Sequence, residues 1–148
     1  MICCFFGHRN APQEMQDKLV GTIRSLIVEK GVSEFYLGNQ GHFDYMALCA
    51  LRQLSEKYPH ISYNVVLAYR PLSAASLRSV HPHETIFPEE LATVPPACAI
   101  SRRNDWMLQR SQIIVAYVTH SISGAAASVA KAARRNKTVI NLAEQAPV

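Results

Sequence analysis

A chain of 148 residues, 49% hydrophobic and 18% charged, has a globular composition and can bury roughly two thirds of its unfolded surface; a disordered or fibrous chain is excluded, and a single domain over residues 1–148 is expected. Fifteen Lys and Arg against eleven Asp and Glu leave a formal charge of +4, which suits an anionic small molecule as well as nucleic acid and selects neither. The four cysteines, Cys3, Cys4, Cys49 and Cys98, have no CxxC spacing, so zinc and dithiol chemistry give way to buried thiols in a reducing cytosol.

Ile2 to Phe6 is a continuous apolar run of strand length closed by Gly7, the pattern of a strand buried on both faces of a parallel sheet. No basic segment precedes it and no later run approaches a membrane span, so a soluble cytoplasmic protein is expected. From Pro12 the period becomes helical, with Met15, Leu19, Ile23, Leu26 and Ile27 on one face and Gly31 as the stop. Glu34 to Leu37 reads as a short strand running into Gly38-Asn39-Gln40-Gly41, and an amphipathic helix covers about 43–57. Ile61 to Tyr69 is a third strand rich in Val, Ile and Tyr. Pro71 to Cys98 holds most of the prolines, carries one short strand signal at Thr85 to Phe87, and otherwise reads as loop structure over one rim. A helix from Ser101 to Arg110, a strand from Gln112 to Val118, an alanine-rich helix from Gly124 to Arg135 and a strand from Thr138 to Leu142 complete the chain. This alternation predicts an α/β, Rossmann-like three-layer fold, a mainly parallel sheet with helices on both faces.

In such sheets ligands bind beyond the carboxyl ends of the strands, at the switch point in strand order. Three loops leave strands at that end: Gly7-His8-Arg9, Gly38-Asn39-Gln40-Gly41 and Thr119-His120-Ser121-Ile122-Ser123-Gly124. In the third, Ser121, Ser123 and Gly124 precede a helix opening on Ala125-Ala126-Ala127. Small residues, free N–H groups and the positive end of the helix dipole suit a phosphate; a plain N-cap at Ser123 with close alanine packing is the structural alternative. Neither GxGxxG nor GxxxxGK[ST] is present, so no nucleotide fingerprint of those kinds supports the reading.

Asp44 stands in the first turn of its helix, as a dipole-complementing carboxylate or as an acid or base, with His8 or His42 to assist it. Arg102 and Arg103 sit at a helix start, where cations oppose the dipole, so an anionic ligand or a partner such as Asp105 must favour them. Trp106 and Met107 read as core, and Arg134, Arg135 and Lys137 as solvated charge at a helix end. Gly7 permits a tight exit from the first strand, so that His8 donates a hydrogen bond to a ligand and Arg9 grips a phosphate in its fork; otherwise Arg9 pairs with Asp44.

Taken in order, "FFGHR", "LGNQGHFDYMA", "RRNDWML" and "VTHSISGAAASVAKAARRNKTVINL" resemble the SLOG superfamily, Rossmann-like proteins related to the LOG phosphoribohydrolases and to DprA, in particular an uncharacterised bacterial branch whose first strand is followed by GHR. The likeness covers nearly the whole chain except Pro71 to Cys98. It implies a nucleotide-related ligand in the glycine-rich loops and a homo-oligomer, and places Gly7, His8, Arg9, Gly38, Gly41, Asp44, Arg103, Ser123 and Gly124 at the site, to which the turn adds Ser121 and Ala125. Where LOG enzymes carry PGGxGTxxE, this chain has "ISGAAASVA" with no Glu before Glu144, so the catalytic glutamate is missing. Arg103 to Met107 resembles their RKxxM, with Asn104 replacing the lysine. A binding module that senses a nucleotide is therefore the expectation, and an N-glycosidase using Asp44 and His8 as catalytic residues is the alternative. A DprA-like nucleic-acid role lacks interleaved aromatics or a basic stripe. No metal site and no resident cofactor is read from the sequence.

Overall fold

The computed structural model describes residues 1–144. Six parallel strands, β1 (Ile2–Gly7), β2 (Glu34–Leu37), β3 (Ser62–Val66), β4 (Thr85–Ile86), β5 (Ile113–Tyr117) and β6 (Thr138–Asn141), form one sheet in the order β4-β3-β2-β1-β5-β6. Four helices, α1 (Gln16–Lys30), α2 (His42–Lys57), α3 (Ala99–Arg110) and α4 (Gly124–Arg134), cover it. The fold class is therefore α/β and Rossmann-like.

The apolar run of β1 is continuous because both of its faces are buried. Cys3 and Phe5 pack into a core with Leu19, Ile23 and Ile27 of α1 and Phe43, Met46 and Leu51 of α2, while Cys4 and Phe6 enter a second core with Met107 and Leu108 of α3 and Ala132 of α4. Gly31 ends α1 in the left-handed region at φ +69°, where a side chain would be strained. From β1 the chain builds β2, β3 and β4 outward on one side, then returns to place β5 against β1 on the other, pairing Cys3 with Ile113 through Gly7 with Tyr117. The switch point thus lies between β1 and β5.

β3 is shorter than its Ile61-to-Tyr69 pattern, because its outer neighbour is a two-residue strand. Leu67 N–H still donates to Ile86 O at 2.9 Å, after which Arg70-Pro71 leads away. Residues 71–98 fold as short 3₁₀ turns around β4, and Glu84 ties them down. Its carboxylate accepts from Arg52 Nε (2.8 Å) and Nη2 (2.7 Å) on α2, from the Tyr63 hydroxyl (2.7 Å) on β3 and from His81 N–H (2.9 Å). Burial alone would raise this carboxyl, but the bonds from Arg52, His81 and Tyr63 outweigh it and hold the group down at about 2, from 4.5.

The expectation of buried thiols needs correction. Cys3 and Cys4 are buried, and burial pushes the Cys4 thiol up to about 12, but Cys49 is half-buried and Cys98 is exposed; all four are free. Cys98 lies in a proline-flanked turn whose apolar composition looks internal but which runs over the surface. No helix among the described residues is long and apolar enough to cross a membrane.

Candidate functional site

A cleft of about 270 Å³ opens at the switch point, lined from four directions. Gly7, His8 and Arg9 come from the end of β1, Gly38, Gln40 and Asp44 from the end of β2 and the start of α2, Ile100, Arg103, Asn104 and Met107 from α3, and Ser123, Gly124 and Ala125 from the start of α4. Of the residues that the resemblance and the turn before α4 place at the site, Gly41 and Ser121 are absent from its wall, as are His42 and Arg102.

Gly7 owes its identity to packing rather than to turn geometry. A Cβ there would overlap the ring of Phe43, which is fully buried at the start of α2. Gly7→Ala is expected to destabilise the protein by about 2–3 kcal/mol through overpacking, read as a lower urea midpoint at unchanged slope; an unchanged midpoint would show that Phe43 moves freely. Gly41 does need its conformation. It sits at φ +100°, a Cβ would come within 2.6 Å of the Arg9 Cα, and the next N–H, of His42, donates to Arg9 O at 2.9 Å. Gly41 therefore locks the first two loops together and faces a neighbouring cleft.

His8 holds the first loop to the third. Its N–H continues the β1–β5 ladder to Tyr117 O (3.1 Å), and its Nε2 accepts from Thr119 N–H (2.9 Å), which requires a neutral ring. The ring stacks on His120 with centroids 4.0 Å apart, and burial together with the neighbouring His120 lowers its pKa. Sequence reasoning has His8 donating to a ligand; one nitrogen is already engaged as an acceptor, and Nδ1 is the donor left. Arg9 does not pair with Asp44: Nη2 donates to Gln40 Oε1 at 3.3 Å and the side chain stays exposed at the mouth. His42 is held by Gln13 at 2.9 Å, away from the cleft.

Arg103 lies at the floor, only 2% exposed. Nη1 donates to Val66 O (2.9 Å) and Nε to Asn104 Oδ1 (2.8 Å), while Asp105, the partner expected from sequence, pairs instead with Lys131 at 2.7 Å. Nη2 has no hydrogen-bond partner among the described residues, and because no buried side-chain nitrogen or oxygen among them is left unpaired, Nη2 keeps contact with solvent while Arg103 lines the cleft. Gly38 makes this arrangement possible: its missing Cβ would sit 2.9 Å from the Arg103 guanidinium and 3.0 Å from Asp44 Oδ2. Asp44, 8% exposed, accepts from Gln40 N–H at 2.8 Å through Oδ2. Burial pushes its carboxyl up to about 6, and the positive Arg103 and the Gln40 bond only partly oppose this.

At the α4 end, Ser123 is the N-cap, its Oγ accepting from Ala126 N–H at 2.9 Å. The N–H groups of Gly124 and Ala125 remain for a ligand. Met107 is core, as its helical spacing indicates, whereas Trp106 is only half-buried, with its Nε1 donating to Glu90 and Arg110 lying over its ring. Ile100 was not singled out in sequence, and Asn104 was named only as the residue that replaces a lysine. They share a face of α3 with Arg103 and Met107 at spacings of three and four, and that periodicity is the signal that could have found them.

No family model matches the chain, and no curated protein matches it significantly. Among solved structures it is similar to DNA processing protein A (DprA) from Streptococcus pneumoniae, with a TM-score of 0.62 and 14% identity over 93% of this chain and 48% of that one. It is also similar to the molybdenum cofactor carrier protein from Chlamydomonas reinhardtii, with a TM-score of 0.57 and 16% identity over 93% of this chain and 74% of that one. The chain thus spans about half the length of DprA. At these identities the likeness is one of fold alone, an α/β, Rossmann-like fold similar to that of DprA.

Proposed function

We propose that this protein binds a phosphate-bearing nucleotide or nucleotide derivative in the cleft between β1 and β5, as a sensor or binding module. The observation that carries the reading is the convergence of a buried guanidinium and a helix N-terminus on one cleft: Arg103, with its Nη2 unengaged among the described residues, lines it together with Gly124 and Ala125 of the first turn of α4. A buried cation with an open donor is stabilised by an anion, and the α4 dipole adds the same sign of field. Arg9 closes the mouth, and Phe6, Ile100 and Met107 give the wall an apolar part for a base or sugar face.

Calorimetric titration with AMP tests this. Arg9→Ala is expected to weaken binding by about 1.5–3 kcal/mol, the worth of a charge-assisted hydrogen bond, with the melting temperature unchanged because Arg9 is exposed and, among the described residues, its side chain bonds only Gln40. No binding of AMP, or equal affinity in the variant, would overturn the reading.

The raised carboxyl of Asp44 supports a second reading, an N-glycosidase in which Asp44 moves the proton. No carboxylate follows Gly124 within α4, so release of free base from AMP at an enzyme-like rate is not expected. Its detection by chromatography would put the enzyme first.

A further inference from the structure

A second cleft, about 600 Å³, adjoins the first, and Arg9, Gly38, Gln40 and Asp44 line both. Its far side is built by the start of α2, with His42 and Tyr45, and by the turn Ser76–Val80 with Arg78. Tyr45 is 44% exposed, and its ring lies 6.2 Å from that of the half-buried His42; the two rings give this cleft an aromatic wall. Arg78 is exposed and has no ion pair or side-chain hydrogen bond among the described residues, and its backbone stands at φ +58°, ψ −118°, a conformation that L residues avoid. Two weakly engaged arginines, Arg9 at the junction and Arg78 beyond it, therefore face one groove against a single carboxylate, Asp44, which is buried at its inner end.

We infer that this second cleft is a subsite for the distal half of an elongated ligand, a nucleotide joined through a pyrophosphate to a second nucleoside. The inference rests on the nucleotide reading of the first cleft and extends it. The first phosphate lies between the α4 N-terminus, Arg103 and Arg9, the second follows it along Arg9 at the junction, and the far nucleoside stacks on Tyr45 and His42 with Arg78 across it. The first cleft, at about 270 Å³, has room for little beyond one nucleotide, and Arg9, Gly38, Gln40 and Asp44, common to both linings, put the second beside it.

Titration with AMP and with diadenosine pyrophosphate, on the wild-type protein and on Arg78→Gly and Tyr45→Ala, separates this inference from the reading beneath it. Glycine at position 78 removes the guanidinium while tolerating the positive φ, so the fold is retained. The two-nucleoside probe should bind about tenfold or more tighter than AMP, and each variant should remove most of that advantage while leaving AMP affinity unchanged. Equal affinity for the two probes, or variants that weaken both alike, would overturn the second subsite and leave the first standing. Absence of binding by either probe would overturn both.

Discussion

Glu84→Gln is expected to cost about 3 kcal/mol, at the lower end of the range for breaking a buried ion pair. The lower end applies because Arg52, unlike the 2% exposed side chain of Glu84, keeps 28% of its own side-chain surface in water. The carboxylate serves four donors drawn from α2, β3 and the turn before β4. An amide accepts through one oxygen only, and its NH₂ faces the guanidinium. Thermal melting should show a fall of roughly 6–12 °C for a chain of this length. The effect depends on pH. Glu84 has a folded-state value of about 2 against 4.5 in the unfolded chain, so its contribution is full above pH 4.5 and is lost as pH falls towards about 2. Wild type and variant should therefore converge in acid. A constant difference down to pH 2 would show that packing, not charge, binds residues 71–98 to the sheet.

Asp44→Asn should do the opposite and stabilise the protein at pH 8 by about 2–3 kcal/mol, from a shift of roughly two units at 1.36 kcal/mol each. The carboxyl rises from 3.8 to about 6 on folding, chiefly through burial. The stability it supports is therefore full below pH 3.8, where both states are protonated, and is lost as pH rises through about 6. Asparagine keeps the neutral form at every pH and can accept the Gln40 N–H bond through its oxygen. Urea titrations at pH 8 and pH 4 should show the gain at the first and none at the second. A carboxylate kept at a cost in stability inside a cleft is a mark of function, so the same variant should bind AMP with altered affinity. Equal stability of the two proteins at pH 8 would show that Asp44 is far better solvated than its burial indicates.

Legibility differed from element to element. The α/β class followed from β1, where five successive apolar residues mark burial on both faces, and from the helical period after Pro12; both patterns are local and survive without knowledge of neighbours. β4 was legible as a strand signal, but its place parallel to β3 at the sheet edge is secured by Glu84, whose four donors come from residues 52 to 81. The three loops named in the sequence do lie together around one cleft, because β1 and β5 are neighbours, and strand order is a property of the whole fold.

The chain by itself determined which residue types stand at the strand ends, since glycine, charge and small side chains there contradict the apolar runs before them. Partners were decided only in three dimensions. Arg103 is a buried cation rather than a surface one because α3 turns it under Gly38 towards Val66. Asp105 meets Lys131 across 26 positions. Gly7 is glycine for the sake of a ring 36 residues away in sequence, at Phe43. Periodicity records which face of an element is buried, but burial depth, desolvation and hydrogen-bond partners arise from contacts between elements, and no local pattern encodes those.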